Sequence, residues 1–211
     1  MRLIQDFVNT LDREIGRDDL ASPDLLAAWL ESHGLLDRGA SLTEADRQQA
    51  IEVREALRAM LLANNGAAHD ADAAAILNRA AQAAPLVVHL QPDGRAELEV
   101  MHGLPSVVGG PGTAGDSSVA GAMGRLLAIV FTAQDSSPAS RSQAPARDSR
   151  SSTWSRLKAC RDDACQWAFY DHSKNRSGTW CSMADCGNRT KTRAFRQRAR
   201  AAGPQEGEPV L

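Results

Sequence analysis

Apolar residues recur at helical spacing through most of the first 134 positions, and polar punctuation marks where each helix starts and stops. Leu3, Ile4, Phe7 and Leu11 mark a short amphipathic opening helix. Ser22-Pro23-Asp24 reads as an N-cap with proline at the first helical position, starting a helix that ends near His33-Gly34. Thr43-x-x-Asp46 has capping-box form, and Ile51, Leu57, Leu61 and Leu62 carry the longest predicted helix to Asn64-Asn65-Gly66. The Ala-rich stretch 68–83 predicts a further helix ended near Pro85. Two alternating runs, 86–90 and 96–100, flank Gln91-Pro92-Asp93-Gly94, whose turn chemistry predicts a β-hairpin. A last helix is expected from Val119 to Phe131.

From 135 to 153 large apolar residues vanish and Ser, Arg and Pro take over, the composition of a flexible linker. Periodicity returns at Trp154. Gln166 to Asp171 is predicted as a strand, Ser173 to Gly178 as a turn, and Thr179 to Cys181 as the partner strand. Gly187-Asn188 then opens a helix to about Ala201, with Asn188 as its expected cap. The expected fold is a mainly α N-terminal domain with one β-hairpin (1–134), the linker (135–153), a small treble-clef-like unit of hairpin and helix (154–202) and a flexible tail (203–211).

All four cysteines fall in that small unit, as Cys160-x4-Cys165 and Cys181-x4-Cys186. Two short pairs separated by fifteen residues suit tetrahedral S4 ligation of Zn2+. Two disulfides are the rival reading. No charged, apolar and cleavage-site series opens the chain and no apolar run has the length of a membrane span, so a cytoplasmic protein is expected, where zinc is the commoner use. A closed four-Cys site leaves no open ligand position, so the metal is expected to be structural.

Charge divides the chain in the same place. Residues 1–152 hold 13 Lys and Arg against 20 Asp and Glu, whereas 153–203 hold 11 against 4. With four thiolates and Zn2+ counted, the small unit still carries about +5. A basic unit on an acidic body suggests a polyanionic partner. Arg189, Arg193, Arg196 and Arg200 recur at i, i+4, i+7 and i+11, with Lys191 and Arg198 widening that face and no acidic residue interleaved. Phosphate contact explains such a face better than solvation alone. Lys174, Asn175 and Arg176 in the predicted turn offer a second contact. Asp6 and Asn9, polar groups beside Phe7, are the candidates for a small-molecule effector.

Enzyme signatures are missing. Tyr170-x3-Lys174 has no G-x-G-x-x-G unit before it, Gly109-Gly110-Pro111-Gly112 lacks the Lys-Ser/Thr of a phosphate loop, and the five histidines are scattered without a metalloprotease or nucleophile-elbow motif. No catalytic residue is expected.

The stretches Arg156-Leu157-Lys158-Ala159-Cys160, Trp167-x-Phe169-Tyr170-Asp171, Ser173-Lys174-Asn175, Trp180-Cys181-Ser182-Met183 and Cys186-Gly187-Asn188-Arg189 together resemble the CGNR zinc-finger family over about 45 residues. Asp6-Phe7-Val8-Asn9-Thr10 with Leu26-x-x-Trp29-Leu30 is similar to the ABATE domain that precedes this finger. The resemblance implies a bacterial, stress-induced transcriptional regulator with finger ligands Cys160, Cys165, Cys181 and Cys186. The resulting expectation is a zinc-dependent regulator that binds duplex DNA, with an N-terminal domain that senses an effector or forms a homodimer. An RNA- or protein-binding adaptor is the alternative.

Overall fold

The computed structural model describes residues 1–84, 86–90, 96–100, 118–135 and 153–201. Helix α1 (Arg2–Val8) buries Ile4, Phe7 and Val8. Helix α2 (Pro23–Ser32) starts where Ser22 accepts the Leu25 N–H, with Pro23 in its first turn, and ends before Gly34, whose φ of 67° needs a residue without a Cβ. Helix α3 (Glu44–Asn64) has the full capping box: the Thr43 hydroxyl accepts from Asp46 N–H, and the Asp46 carboxylate accepts from Thr43 N–H. Helix α4 (Ala71–Ala83) is capped by Asp70, and α5 (Val119–Asp135) runs past its expected end at Phe131. The predicted hairpin is present as β3 (Leu86–Leu90) and β4 (Ala96–Val100), antiparallel with Leu86 opposite Val100. Its turn, most of the linker and the tail lie outside the described residues.

A second N-terminal hairpin, β1 (Leu11–Asp12) with β2 (Arg17–Asp18), was not expected. Two-residue strands leave no alternation to read. The turn holds because Asp12 Oδ1 accepts the Glu14 and Ile15 N–H groups and Gly16 takes a φ of 70°.

In the small unit the pairing differs from expectation. Strand β6 (Ala168–Tyr170) pairs with β5 (Leu157–Ala159), and Thr179 to Cys181 is not a strand. Three consecutive buried residues in β5 erase the alternation that would have marked it, and the first cysteine pair supplies the turn between the strands.

This hairpin does not stand apart from the N-terminal region. Trp154, Leu157, Ala159 and Ala168 belong to the same buried cluster as Ile4, Phe7, Leu26, Leu57, Leu61 and Leu126. In the β5–β6 ladder Ala159 and Ala168 are opposite each other as a non-hydrogen-bonded pair, since the adjacent Cys160 N–H bonds Trp167 O. Their backbone groups therefore point away from the ladder, and asparagines meet them. Asn9 donates to Ala168 O at 2.9 Å and accepts from Ala168 N–H at 2.7 Å. On the other edge Asn64 donates to Trp154 O and Leu157 O, while Asn65 donates to Ala159 O and Thr179 O, both at 2.8 Å. Both edges of a two-stranded sheet are thus closed by side chains of the N-terminal region.

Two arginines one turn apart on the buried side of α3 complete the joint. Arg54 and Arg58 are each 2% exposed. Arg54 holds Asp18 through two nitrogens (2.7 and 3.0 Å) and reaches Thr10, and Arg58 donates to Val8 O and Gln166 O while pairing with Glu55. Buried guanidinium groups need this complete pairing to be tolerated.

Candidate metal centre and basic helix

Strand β5 delivers Cys160 into a tight turn whose hub is Asp162. The Asp162 carbonyl accepts from Cys165 N–H (2.8 Å) and Gln166 N–H (3.0 Å), its carboxylate accepts from Ala164 N–H, and Gln166 turns back with a φ of 49°. The second pair is placed by a helix start. Ser182, not Asn188, is the cap: its hydroxyl accepts from Asp185 N–H and donates to the Asp185 carboxylate, opening a π-helical turn (Met183–Gly187) that continues directly into α6 (Asn188–Ala201). Cys186 consequently sits in the first turn of a continuous helix. Asn188 instead donates from its side chain to Ala184 O. A Cβ on Gly187 would lie 2.5 Å from Met183 Sδ, so this position admits only glycine without a shift of the Met183 side chain.

All four Sγ atoms lie within 4.8 Å of one another, with Cys181 Sγ 3.6 Å from both Cys165 and Cys186. A tetrahedron with metal–sulfur bonds of about 2.3 Å has edges of about 3.8 Å, so the cage has the dimensions of a Zn2+ S4 site. Trp167 and Trp180 pack against it, and Cys160, Cys165 and Cys186 are buried. Burial, with the charge of Cys160 nearby, pushes the Cys165 thiol up to about 12 and raises Cys181 as well. Four crowded sulfurs cannot ionise together without a cation among them. A dication reverses that preference and holds them as thiolates. Zn2+ bound here would have its coordination closed by protein, which gives a structural role.

Arg189 follows the last ligand by three residues and has four of its five guanidinium N–H groups engaged within the chain. Its Nε donates to Asp162 at 2.7 Å, Nη1 to Glu14 of the β1–β2 turn at 2.6 Å, and Nη2 to Cys186 Sγ at 3.2 Å. The hydrogen bonds that it donates to the Glu14 and Asp162 carboxylates raise the Arg189 pKa. Burial alone would raise the Asp162 carboxyl, yet the Arg189 guanidinium holds it below its ordinary value. Arg189 also forms the inner end of one open groove along α6 that Thr192, Arg193, Arg196, Gln197 and Arg200 line.

Comparison with known protein families places both parts. Residues 1–133 match the ABATE family, described as "Putative stress-induced transcription regulator", and residues 156–199 match the CGNR zinc finger. The chain belongs to the ABATE family. No curated protein matches it. The ABATE region and the zinc finger together make a zinc-binding regulator, and Cys186-Gly187-Asn188-Arg189 is the stretch that gives the finger its name.

The remaining expected residues of this ABATE protein are distributed as follows. Arg193, Arg196, Arg198, Arg200 and Lys191 are exposed on α6. At about 100° per residue Lys191 and Arg198 leave the helix on the side opposite Arg189, so they form a separate cationic edge and do not widen the arginine face. Lys174 and Asn175 are exposed in a loop shaped by Asp171, which accepts from Ser173 N–H, Gly178 N–H and buried Lys158. Arg176 in that loop has a φ of 53°, and its carbonyl accepts from Lys158 Nζ. Asp6 pairs with Arg2 at the surface (3.5 Å), and Asn9 has both ends of its amide on Ala168. Asn9 therefore joins the finger to the domain and is not free to meet an effector. Sequence reasoning missed Glu14, Asp162, Asn64 and Asn65. Only Asp162, two residues after a ligand, carried a local signal.

Proposed function

We propose that this chain is a zinc-dependent, DNA-binding transcriptional regulator of the cytoplasm, in which α6 presents its arginine face to duplex phosphates and the ABATE region senses a signal or dimerises. The observation that carries this reading is the state of Arg193, Arg196 and Arg200. Among the described residues no acidic side chain pairs with them, although they share one groove. Like charges on adjacent turns repel one another, and a row of phosphates relieves that repulsion. Zinc fixes the base of the helix through Cys186, so the metal orients the surface and takes no part in chemistry. A purely regulatory role, without catalysis, accords with the two families and with the closed cage.

The test is a titration of duplex DNA, single-stranded DNA and RNA at two salt concentrations. Changing Arg193→Ala and Arg196→Ala together should weaken duplex binding across sequences and reduce the salt slope by about 1 per arginine. Equal affinity of the double variant, with zinc retained, would refute the nucleic-acid reading. One observation favours the adaptor alternative: Phe195 is 67% exposed on α6 beside Lys191 and Arg198. An exposed aromatic with cations around it suits stacking on unpaired bases, so preference for single-stranded RNA in the same titration would select that reading.

A further inference from the structure

The four arginines that sequence spacing groups together are not equivalent in space. All four border one open groove, but only Arg189, at its inner end, has its donors committed, to three different parts of the chain. Its partners are Asp162 in the first cysteine turn, Cys186 in the second, and Glu14, 175 residues away in the N-terminal hairpin. Of five guanidinium N–H groups, four have an acceptor: Asp162 Oδ2, Glu14 Oε1, Cys186 Sγ and, at 3.4 Å, Glu14 Oε2. The Asp162 carboxylate is completely buried, so its charge depends on this arginine. One N–H is left without an acceptor, but a phosphate gripping Arg189 through two N–H groups would have to displace Glu14 and would exchange one anion for another with little gain.

We propose that Arg189 is a positioning residue of the metal centre and not a phosphate contact: it donates to the Cys186 sulfur, fixes the first turn of α6 to the Asp162 turn, and fastens both to the ABATE region through Glu14. Two consequences follow from the geometry. With Zn2+ bound, the four thiolates leave the centre with a charge of about −2, and an N–H donated to one sulfur both orients that ligand and stabilises its negative charge. Because the same guanidinium is clamped by Glu14, retention of the metal becomes sensitive to the placement of the β1–β2 hairpin. The finger and the regulator domain are then coupled at the metal as well as through the packed core. The metal part of this proposal is independent of nucleic-acid binding; the phosphate part rests on the proposed function.

The test uses the full-length, zinc-loaded chain and four variants: Glu14→Gln, Arg189→Gln, their combination, and Arg193→Gln. Zinc transfer to excess 4-(2-pyridylazo)resorcinol at neutral pH is followed by absorbance. Arg189→Gln should accelerate transfer by about tenfold or more, the usual consequence of removing a partner of a metal ligand. Glu14→Gln, a change at an exposed turn that leaves the core untouched, should accelerate it by about two- to fivefold. Arg193→Gln should not change it. The combination should match Arg189→Gln alone, because the Glu14 effect travels through the arginine. Additive rates, or a Glu14→Gln rate equal to wild type, would overturn the coupling, whereas a general loss of folding would be additive. In duplex titrations Arg193→Gln should lower the salt slope by about 1 and Glu14→Gln should leave it unchanged. A slope that falls by about 1 in Arg189→Gln with wild-type zinc transfer would make Arg189 a phosphate contact and overturn the proposal. If no protein in the set binds duplex, the function reading fails while zinc transfer still decides the role of Arg189.

Discussion

Replacing Asn9 with alanine separates two accounts of this residue, as part of an effector site or as the fastener of the finger. Its amide forms both hydrogen bonds to Ala168, at 2.9 and 2.7 Å, and Ala168 is fully buried. Asn9→Ala leaves one N–H and one C=O of Ala168 without a partner in a place water does not reach. Each such group costs about 1–3 kcal/mol, so the expected loss is about 2–6 kcal/mol, a large share of the 5–15 kcal/mol typical of a folded chain. Asn9→Asp keeps the acceptor for Ala168 N–H but turns a carboxylate oxygen toward Ala168 O, and should cost a similar amount. Urea unfolding of zinc-loaded protein measures this with two probes. Far-UV circular dichroism reports mainly α1 to α5. Fluorescence reports mainly Trp154, Trp167 and Trp180, three of the four tryptophans, all in the finger. Because Trp154, Leu157, Ala159 and Ala168 share a core with Ile4, Phe7 and Leu61, the two transitions should coincide in wild type. A loss under about 0.5 kcal/mol in Asn9→Ala, or separate transitions in wild type, would refute the docking argument.

Chelation of zinc, or Cys181→Ser, should lower the thermal midpoint of the helical signal as well as unfolding the finger, because Leu157, Ala159 and Ala168 leave the shared core with it; circular dichroism with and without chelator checks this. Gly178→Ala would place a Cβ 2.7 Å from Asp171 Oδ1, pushing that carboxylate off Lys158, and should cost about 1–3 kcal/mol in the same denaturation assay. Asp18 gives the pH dependence. Burial alone would raise its carboxyl, but the Arg54 guanidinium and the Leu20 N–H hold it below the ordinary 3.8, so its folded pKa is the lower one. Its contribution is complete above the unfolded value and disappears as pH falls through the folded value. The penalty of Asp18→Asn should therefore be constant from neutral pH to about 5 and shrink below about 4, as followed by unfolding at each pH.

Helix ends were legible because their causes are local. Ser22-Pro23, Thr43 with Asp46, Gly34 and Gly66 each act within one turn, and each does in space what its sequence context implies. The metal cage was legible for the same reason, since cysteine pairs with four residues between them must form tight turns to share a metal. Strand pairing was not. Leu157-Lys158-Ala159 is buried at all three positions, so nothing in its pattern distinguished it from Thr179 to Cys181 as the partner of Ala168-Phe169-Tyr170. The joint between the parts was equally hidden. Asn64-Asn65-Gly66 is a sufficient helix stop without any further duty, and nothing local marks Arg54 and Arg58 as buried. The finger groups that Asn64, Asn65 and Arg58 bond lie 90 to 114 residues away, and Arg54 reaches back 36 and 44 residues to Asp18 and Thr10, so no short window along the chain contains both partners.

That joint changes what the charge division means. An acidic body attached by a loose connection could be left at a distance while the finger engages a polyanion, but here the body is held by Asn9, Arg58, Asn64 and Asn65 and approaches with it. Glu14 lies directly beside the base of α6. On the proposed reading the repulsive field therefore covers the base of the helix, where Arg189 is already neutralised by its partners, and falls off toward Arg193, Arg196 and Arg200. A phosphate backbone is admitted along the outer part of α6 and turned away from the end nearest the metal. Approach is thereby restricted to one orientation, set by the same contact that steadies Cys186. Charge alone would attract the finger to any polyanion, whereas charge with a fixed acidic neighbour selects how it lies.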